Sequence, residues 1–346
     1  MSMIDKTLTD SRVLVTGGAG FIGSELVRQL LDAGAYVVVV DNLTNGKREN
    51  ISDLEPRRLR LEVADIRDDR RMRELLVDTD LVLHLACLGV RHSIHSPLEN
   101  HDVNATATLR LLEASRQCGV KRLIYVSSSE IYGTARTVPM TEQHPAWPMT
   151  VYGAAKLAGE RYTEAYFRTY KLATTVIRPF NAFGPRSHHE GDCGEVIPKF
   201  MLRALAGKPL IVHGDGTQTR DFTYVADTAR GILLTATSDA AIGETINLGQ
   251  GREISINELA LEIGAATGRN DLEIRHGSPR PGDVLRLFAD SSKAAALVGF
   301  EPKITLREGL MRLRGWYASS GLDPDQLLAD EVEMNWQGGT RQPSPG

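Results

Sequence analysis

Apolar residues along this chain fall into short continuous blocks, separated by longer stretches in which they recur every three or four positions. The first block, residues 13–15, predicts a strand, and the run 21–33 behind it predicts a helix that stops at Gly34. The alternation continues with strands at 36–40 and 59–63, a charged helix at 69–77 and a strand at 81–85. A helix at 103–118, a strand at 123–126, a helix from 151 to about 170 and a strand at 173–178 come next. Strands and helices at this spacing predict an α/β fold, a doubly wound parallel sheet with helices on both faces and ligands at the carboxyl ends of the strands. After residue 181 the pattern loosens. A polar loop at 183–194, a helix at 197–206 and a turn-rich segment at 214–222 precede a helix at 228–235, a strand at 245–248 and helices at 256–267, 291–298 and 306–319. The reading is a first domain over 1–181, to which segments near 225–250 return, and a smaller C-terminal α/β substrate-binding region over 182–330. The stretch 331–346, whose end from Trp336 is rich in Gly, Pro, Ser and Gln, is expected to be a mobile tail.

The turn after the first strand carries the first chemical signal. Gly17, Gly18, Gly20 and Gly23 stand around Phe21 and Ile22 so that backbone, not side chain, faces the turn, and a helix opens at once. That arrangement suits the pyrophosphate of a dinucleotide, held at free helix N–H groups; the plainer alternative is a structural strand turn. The second strand stops on Asp41, followed by Asn42. An acid at that point accepts from the ribose hydroxyls and repels a 2′-phosphate, which predicts NAD rather than NADP. Lys47 and Arg48, just beyond, are the residues that speak for NADP, or else are solvated loop charges.

Charge and cysteine usage narrow the class further. Forty basic residues face 44 acidic ones, a formal charge of −4, and no block of like charge is long enough for a nucleic-acid arm. Cys87, Cys118 and Cys193 are odd in number and scattered, which suggests a reducing cytoplasm without disulfides. The beginning of the chain has no continuous apolar segment of the signal-peptide kind, and no run approaches membrane-spanning length. The expectation is a soluble cytoplasmic protein with no nucleic-acid or membrane partner.

Tyr152 and Lys156 are four apart on a predicted helix, so both project from one face. An ammonium beside a phenol would favour the phenolate and bring it toward the range of a general base, with Ser128 at a strand end holding the same substrate hydroxyl. Taken alone, such a pair is usually an exposed helix feature. It gains weight from the glycine turn upstream.

Several motifs occur in one order: Thr16-Gly17-Gly18-Ala19-Gly20-Phe21-Ile22-Gly23, Asp65-Ile66-Arg67, His84-Leu85-Ala86, Ser127-Ser128-Ser129, Tyr152-x-x-x-Lys156 and Arg178-Pro179-Phe180-Asn181. In them the chain, over about residues 11–318, resembles the extended short-chain dehydrogenase/reductase family of nucleotide-sugar epimerases, dehydratases and decarboxylases. The resemblance implies a Rossmann domain binding NAD, with catalytic roles for Ser128, Tyr152 and Lys156. It implies Asp65 and Ile66 at the adenine, and Leu85, Ala86 and Lys156 at the nicotinamide ribose. Ser129, Asn181, Arg186, Val196, Arg220 and Arg280 are the expected contacts of the nucleotide sugar, and a homodimer built on the helices at 103–118 and 152–170 is implied as well. Family members share oxidation of the sugar at C4 and differ in the chemistry after that step. Glu130, in Ser128-Ser129-Glu130-Ile131-Tyr132-Gly133, resembles the acid of dehydratases and decarboxylases that removes the C5 proton. Ser129 stands where nucleotide-diphosphate-glucose dehydratases usually carry an aspartate, so elimination would need another proton donor. The loop Gly184-Pro185-Arg186-Ser187-His188-His189 is similar to that of UDP-glucuronate decarboxylases, which favours a UDP-sugar, and His188 or His189 would meet phosphate or carboxylate or be simply exposed. No residue cluster has metal-ligand spacing. The leading expectation is C4 oxidation of a UDP-linked hexose followed by elimination or decarboxylation through Glu130. The alternatives are a UDP-sugar 4-epimerase and, more remotely, a non-catalytic NAD-sensing protein.

Overall fold

The computed structural model describes residues 3–191, 193–280, 282–334 and 336. Its centre is a seven-stranded parallel sheet, formed by β1 (Arg12–Thr16), β2 (Tyr36–Asp41), β3 (Leu59–Val63), β4 (Leu81–His84), β5 (Arg122–Val126), β6 (Thr174–Pro179) and β7 (Thr245–Leu248), in the order β7-β6-β5-β4-β1-β2-β3. The inner strands are buried along their length because both faces are covered, whereas the edge strand β3 alternates Leu59, Leu61 and Val63 with Arg60 and Glu62. In β1, Val13 and Val15 point into one core with Val37, Val39 and Leu83, while Leu14 points into the other with Val82, Leu123 and Tyr125. Leu14 pairs with Val38 on one side and Val82 on the other, which fixes the register across the middle of the sheet.

Helices α1 (Phe21–Asp32), α2 (Asp69–Leu76), α3 (Ala107–Gln117), α4 (Val151–Tyr170), α5 (Val196–Leu205) and α6 (Val225–Ala236) come next in chain order. Of these, α1 and α6 cover the Val13 face of the sheet, whereas α2, α3 and α4 cover the Leu14 face. Gln29 of α1 donates to the Ala226 carbonyl at 3.0 Å, locking α6 beside it. The segment near 225–250 therefore lies on the first sheet, with β7 paired to β6. A second core gathers Phe183, Phe200, Met201, Phe222, Leu259 and Leu313 between α5, α7 (Ile256–Thr267) and α8 (Leu306–Ser320).

Three local departures from the expected pattern have physical causes. The helix expected at 103–118 begins as a wider π turn, Asp102–Thr106, before α3. There Asn104 both donates to the Leu88 carbonyl and accepts from its N–H, each at 2.9 Å, so a side chain serves as the partner of a loop strand. Two short helices, Val90–His95 and Pro97–His101, occupy a polar stretch with too few apolar positions to show a period. Beyond β6, short pairs join distant residues: Ala182–Phe183 with Thr223–Tyr224, Leu210–His213 with Ile274–Gly277, and Thr219–Asp221 with Glu253–Ser255.

The tail expected to be mobile from 331 onward starts with fixed contacts. Glu331 bridges Arg203 at 2.9 Å and pairs with Gly191, and Trp336 is buried. Residues 335 and 337–346 lie outside the described residues.

Candidate active site

The strand order reverses between β1 and β4, and a cavity of about 1010 Å³ opens at their carboxyl ends. Gly17, Gly20, Phe21, Ile22 and Gly23 form part of its wall. Gly17 sits at φ +71°, and a Cβ there would lie 2.8 Å from the Ala86 nitrogen. At Gly23 a Cβ would lie 2.1 Å from the Gly17 carbonyl oxygen, so α1 packs against the turn only because this position is bare. Gly20 caps α1 without a side-chain hydrogen bond, and the first turn holds no acid. Its N–H groups are left for an anion.

Asp41, Asn42, Asp65 and Ile66 line the same cavity. Asp41 accepts from the Ala19 and Leu43 N–H groups at 3.0 and 2.9 Å; burial raises its pKa while these bonds oppose the rise. Each oxygen keeps a lone pair for a ribose hydroxyl. Asp65 is held by a two-point Arg67 fork at 2.9 and 2.8 Å, which lowers its pKa to about 2. Lys47, the cation that spoke for NADP, pairs with Glu190 at 2.6 Å. The bare glycine turn, the uncapped helix start and the caged carboxylate together fit a dinucleotide with a free 2′-hydroxyl.

Leu85, Ala86, Ser128, Ser129, Glu130, Tyr152 and Lys156 meet in the middle of the cavity wall. Ser128, two residues past the end of β5, is the N-cap of a short turn, where its hydroxyl accepts from the Glu130 N–H at 3.2 Å and is hydrogen-bonded with the Tyr152 phenol. Burial raises the Tyr152 pKa, and the Ser128 bond works against that rise. Lys156, expected near the phenol, shares the cavity wall with it and has a backbone partner of its own. Lys156 Nζ donates to the Val126 carbonyl at 2.6 Å and lies 4.6 Å from the centre of the Tyr125 ring. A buried ammonium needs an acceptor, and the end of β5 offers one that the neighbouring phenol does not replace. Burial lowers the Lys156 pKa.

Glu130 is held beside Tyr152 by a close backbone approach: a Cβ at Gly153 would fall 2.8 Å from the Glu130 carbonyl oxygen. Among the described residues its carboxylate accepts no hydrogen bond, so it is not spent on loop backbone. Ser129 is buried and carries no acid. His84, the first residue of its motif, is structural: its two ring nitrogens lie 2.7 and 2.9 Å from the Thr16 and Thr108 hydroxyls, and burial lowers its pKa to about 3.

Asn181, Val196, Arg220 and Arg280 line the remaining wall. Arg220 and Arg280 share the single carboxylate of Asp283, the former at 2.7 Å, which leaves an excess positive charge for an anion such as a diphosphate. Asn181 Oδ1 is buried without a partner. Arg186 is not in the site. With φ at +67° it turns toward α1, donating to Ser24 at 3.0 Å and Glu25 at 2.6 Å. His188 lines the cavity, whereas His189 packs on the Tyr317 ring and lies 3.2 Å from Glu190; Asp192 is outside the described residues. Cys193 in the same loop contacts Asn45 at 3.2 Å.

Sequence reasoning missed Cys87, Arg91, Glu195, Lys199, His213 and Trp336, all in the cavity wall. Arg91 Nε is buried without a partner, and burial raises the Glu195 pKa. Only Cys87, next to Ala86, had a sequence signal. Among the described residues no cluster of His, Cys, Asp and Glu could hold a metal ion, and no helix is long and apolar enough to cross a membrane.

Comparison with known proteins yields a consistent set. A model of the GDP-mannose 4,6 dehydratase family matches residues 14–313. The UDP-glucose 4-epimerase of Mycolicibacterium smegmatis is 37% identical over 306 residues, 87% of this chain and 96% of that protein. The structure of an epimerase from Methanothermobacter thermautotrophicus is similar with a TM-score of 0.87 and 35% identity, over 92% of this chain and 96% of that one. A dTDP-glucose 4,6-dehydratase from Streptomyces venezuelae, solved with NAD bound, has a TM-score of 0.83 and 35% identity, over 89% of this chain and 97% of that one.

Proposed function

Because this chain belongs to the GDP-mannose 4,6-dehydratase family and is an NAD-dependent nucleotide-sugar enzyme of the epimerase/dehydratase type, we propose that it oxidises a UDP-linked hexose at C4 and then acts at C5 through Glu130. The observation that carries this reading is the Glu130 carboxylate, unpaired in the cavity beside the Ser128–Tyr152 hydrogen bond. NAD, when bound, supplies the hydride acceptor and a positive charge in the same cavity. Gly17, Gly20 and Gly23, with Asp41, Asn42, Asp65, Ile66, Leu85 and Ala86, are the residues that would hold it.

Tyr152 takes the proton of the substrate C4 hydroxyl, with Ser128 orienting that hydroxyl. Burial makes the phenol a reluctant acid, so its ionisation depends on positive charge in the cavity, to which Lys156 contributes from the end of β5. Arg220 and Arg280 hold the diphosphate and Asn181 accepts from the sugar nucleotide. Glu130 removes the C5 proton made acidic by the C4 ketone and passes it to the C6 hydroxyl as the C6–O bond breaks and water leaves; the hydride taken from C4 returns at C6 as C5 takes up a proton. For a glucuronate substrate the C5–carboxylate bond breaks in place of C5–H, its electron pair is taken by the C4 ketone, carbon dioxide leaves, and Glu130 as an acid protonates C5. A plain 4-epimerase is the second reading, favoured by the absence of an acid at Ser129. Exposed Leu98, Leu109 and Tyr170 near α3 and α4 support a homodimer across these helices, and the three free cysteines support a reducing, cytoplasmic setting.

The test incubates the purified protein with UDP-glucose, UDP-N-acetylglucosamine, UDP-glucuronate and GDP-mannose in deuterated water. Deuterium at C5 with loss of water or carbon dioxide is expected, and it disappears in Glu130→Gln. An unlabelled C4 epimer would overturn the role of Glu130. Tyr152→Phe should bind NAD and turn over nothing; undiminished activity would remove Tyr152 from the mechanism.

A further inference from the structure

The family match stops at residue 313, yet Glu331, Val332, Glu333 and Trp336 return to the cavity and form part of its wall. Four contacts tie this segment to α5 and the loop before it. Arg203 forks onto Glu331 at 3.0 and 2.9 Å, Lys199 Nζ donates to the Val332 carbonyl at 2.6 Å, and Gly191 N–H donates to the Asp330 carbonyl at 3.0 Å. Leu328 is buried in the second core. The segment ends on Trp336, whose indole meets the His213 ring edge-on, with centroids 4.7 Å apart and planes at 87°. The His213 imidazole is also hydrogen-bonded to the Glu333 backbone.

The location of that aromatic corner decides its use. His213 ends a strand and pairs in register with Gly277, three residues before Arg280, and its imidazole feels the Arg280 charge. The corner is therefore adjacent to the arginines assigned to the diphosphate, on a cavity whose other wall holds Ser128 and Tyr152. In a nucleotide sugar the diphosphate separates the sugar from the nucleoside, so the space past the arginines receives the nucleoside.

We propose that residues 328–334, with Trp336, form a strap over the nucleoside end of the cavity and that Trp336, braced on His213, is the flat apolar wall against which the nucleobase packs. The inference rests on the nucleotide-sugar reading above. It makes a segment outside the family match a determinant of substrate affinity. An indole supplies area and a π face at little entropic cost, and base–aromatic packing of this kind is sensitive to truncation.

The test uses the full chain, with UDP, dTDP, GDP and inorganic pyrophosphate as probes in titration calorimetry. Trp336→Ala is expected to weaken binding of the preferred nucleoside diphosphate by about 10-fold while leaving pyrophosphate binding unchanged, and Trp336→Phe to stay within about 2-fold of the parent. Unchanged nucleoside diphosphate binding in Trp336→Ala, or an equal loss for pyrophosphate, would overturn the strap. Should Trp336→Ala fail to fold, fluorescence decides: nucleoside diphosphate must change the tryptophan emission of the parent and of Trp147→Phe, but not that of Trp336→Phe. If the parent binds none of the nucleoside diphosphates, the nucleotide-sugar reading itself fails. Binding by the parent together with indifference at Trp336 removes the strap alone.

Discussion

Gly23→Ala is the sharpest test of how the dinucleotide turn is built. The added Cβ would lie 2.1 Å from the Gly17 carbonyl oxygen, 2.8 Å from Gly18 Cα and 2.9 Å from the Gly17 carbonyl carbon, all backbone atoms with no rotamer to escape into. To reach even a tight contact of 3.0 Å, the start of α1 must move by nearly 1 Å. Overpacking of this sort costs about 1–3 kcal/mol of stability. The larger effect falls on binding, because the displaced helix start carries the N–H groups offered to the pyrophosphate. A 1 Å misplacement of positioning groups is worth up to roughly 100-fold. NAD titration by calorimetry, with thermal melting on the same samples, separates the two: the variant should melt lower and bind NAD about 10- to 100-fold more weakly. Parent-like NAD affinity in Gly23→Ala would refute the account of the turn, whatever the melting temperature.

Three more outcomes concern other parts of the molecule. Gly315 lies inside α8, where an added Cβ would have no atom within 4 Å, so Gly315→Ala should stabilise the protein by about 0.5–1 kcal/mol in urea unfolding. Glu160 and Arg178 form a buried two-point pair at 2.9 and 2.7 Å, so Glu160→Gln should cost about 3 kcal/mol, read as a lower urea midpoint at unchanged slope. The Arg67 fork depresses the Asp65 pKa from 3.8 to about 2, so this pair contributes stability above pH 3.8 that is lost as pH falls toward 2. Asp65→Asn should flatten the acid limb of the stability curve in that window; an unchanged acid limb would show that Asp65 does not contribute to it.

The first lobe was legible because its signals are local. Most strands of the sheet are built on apolar runs, and β3, β7, α4 and α7 have the expected limits or lie within a residue of them. The glycine turn and Asp41 announce themselves by spacing, and the cavity gathers all but one of the anticipated site residues. Arg186 was misplaced because its loop turns through a left-handed residue toward α1, which composition does not reveal. The second region hid its strands because they are two to four residues long and pair across wide separations, too short for a period and without a hairpin turn. Arg91 and Glu195 reach the cavity through a six-residue helix and a helix start, positions whose direction depends on packing alone. The Lys156 bond to Val126 depends on the depth of a strand end and could not be read from the i,i+4 spacing.

The loop 184–195 crosses to the dinucleotide lobe at three points, Arg186 to Glu25, Lys47 to Glu190 and Cys193 to Asn45. Two of these are charge pairs, and Lys47 is about half exposed, so added electrolyte weakens that tie more than it weakens the apolar cores. The speed with which this enzyme exchanges its dinucleotide with the medium should therefore rise with ionic strength, even where overall fold stability barely moves.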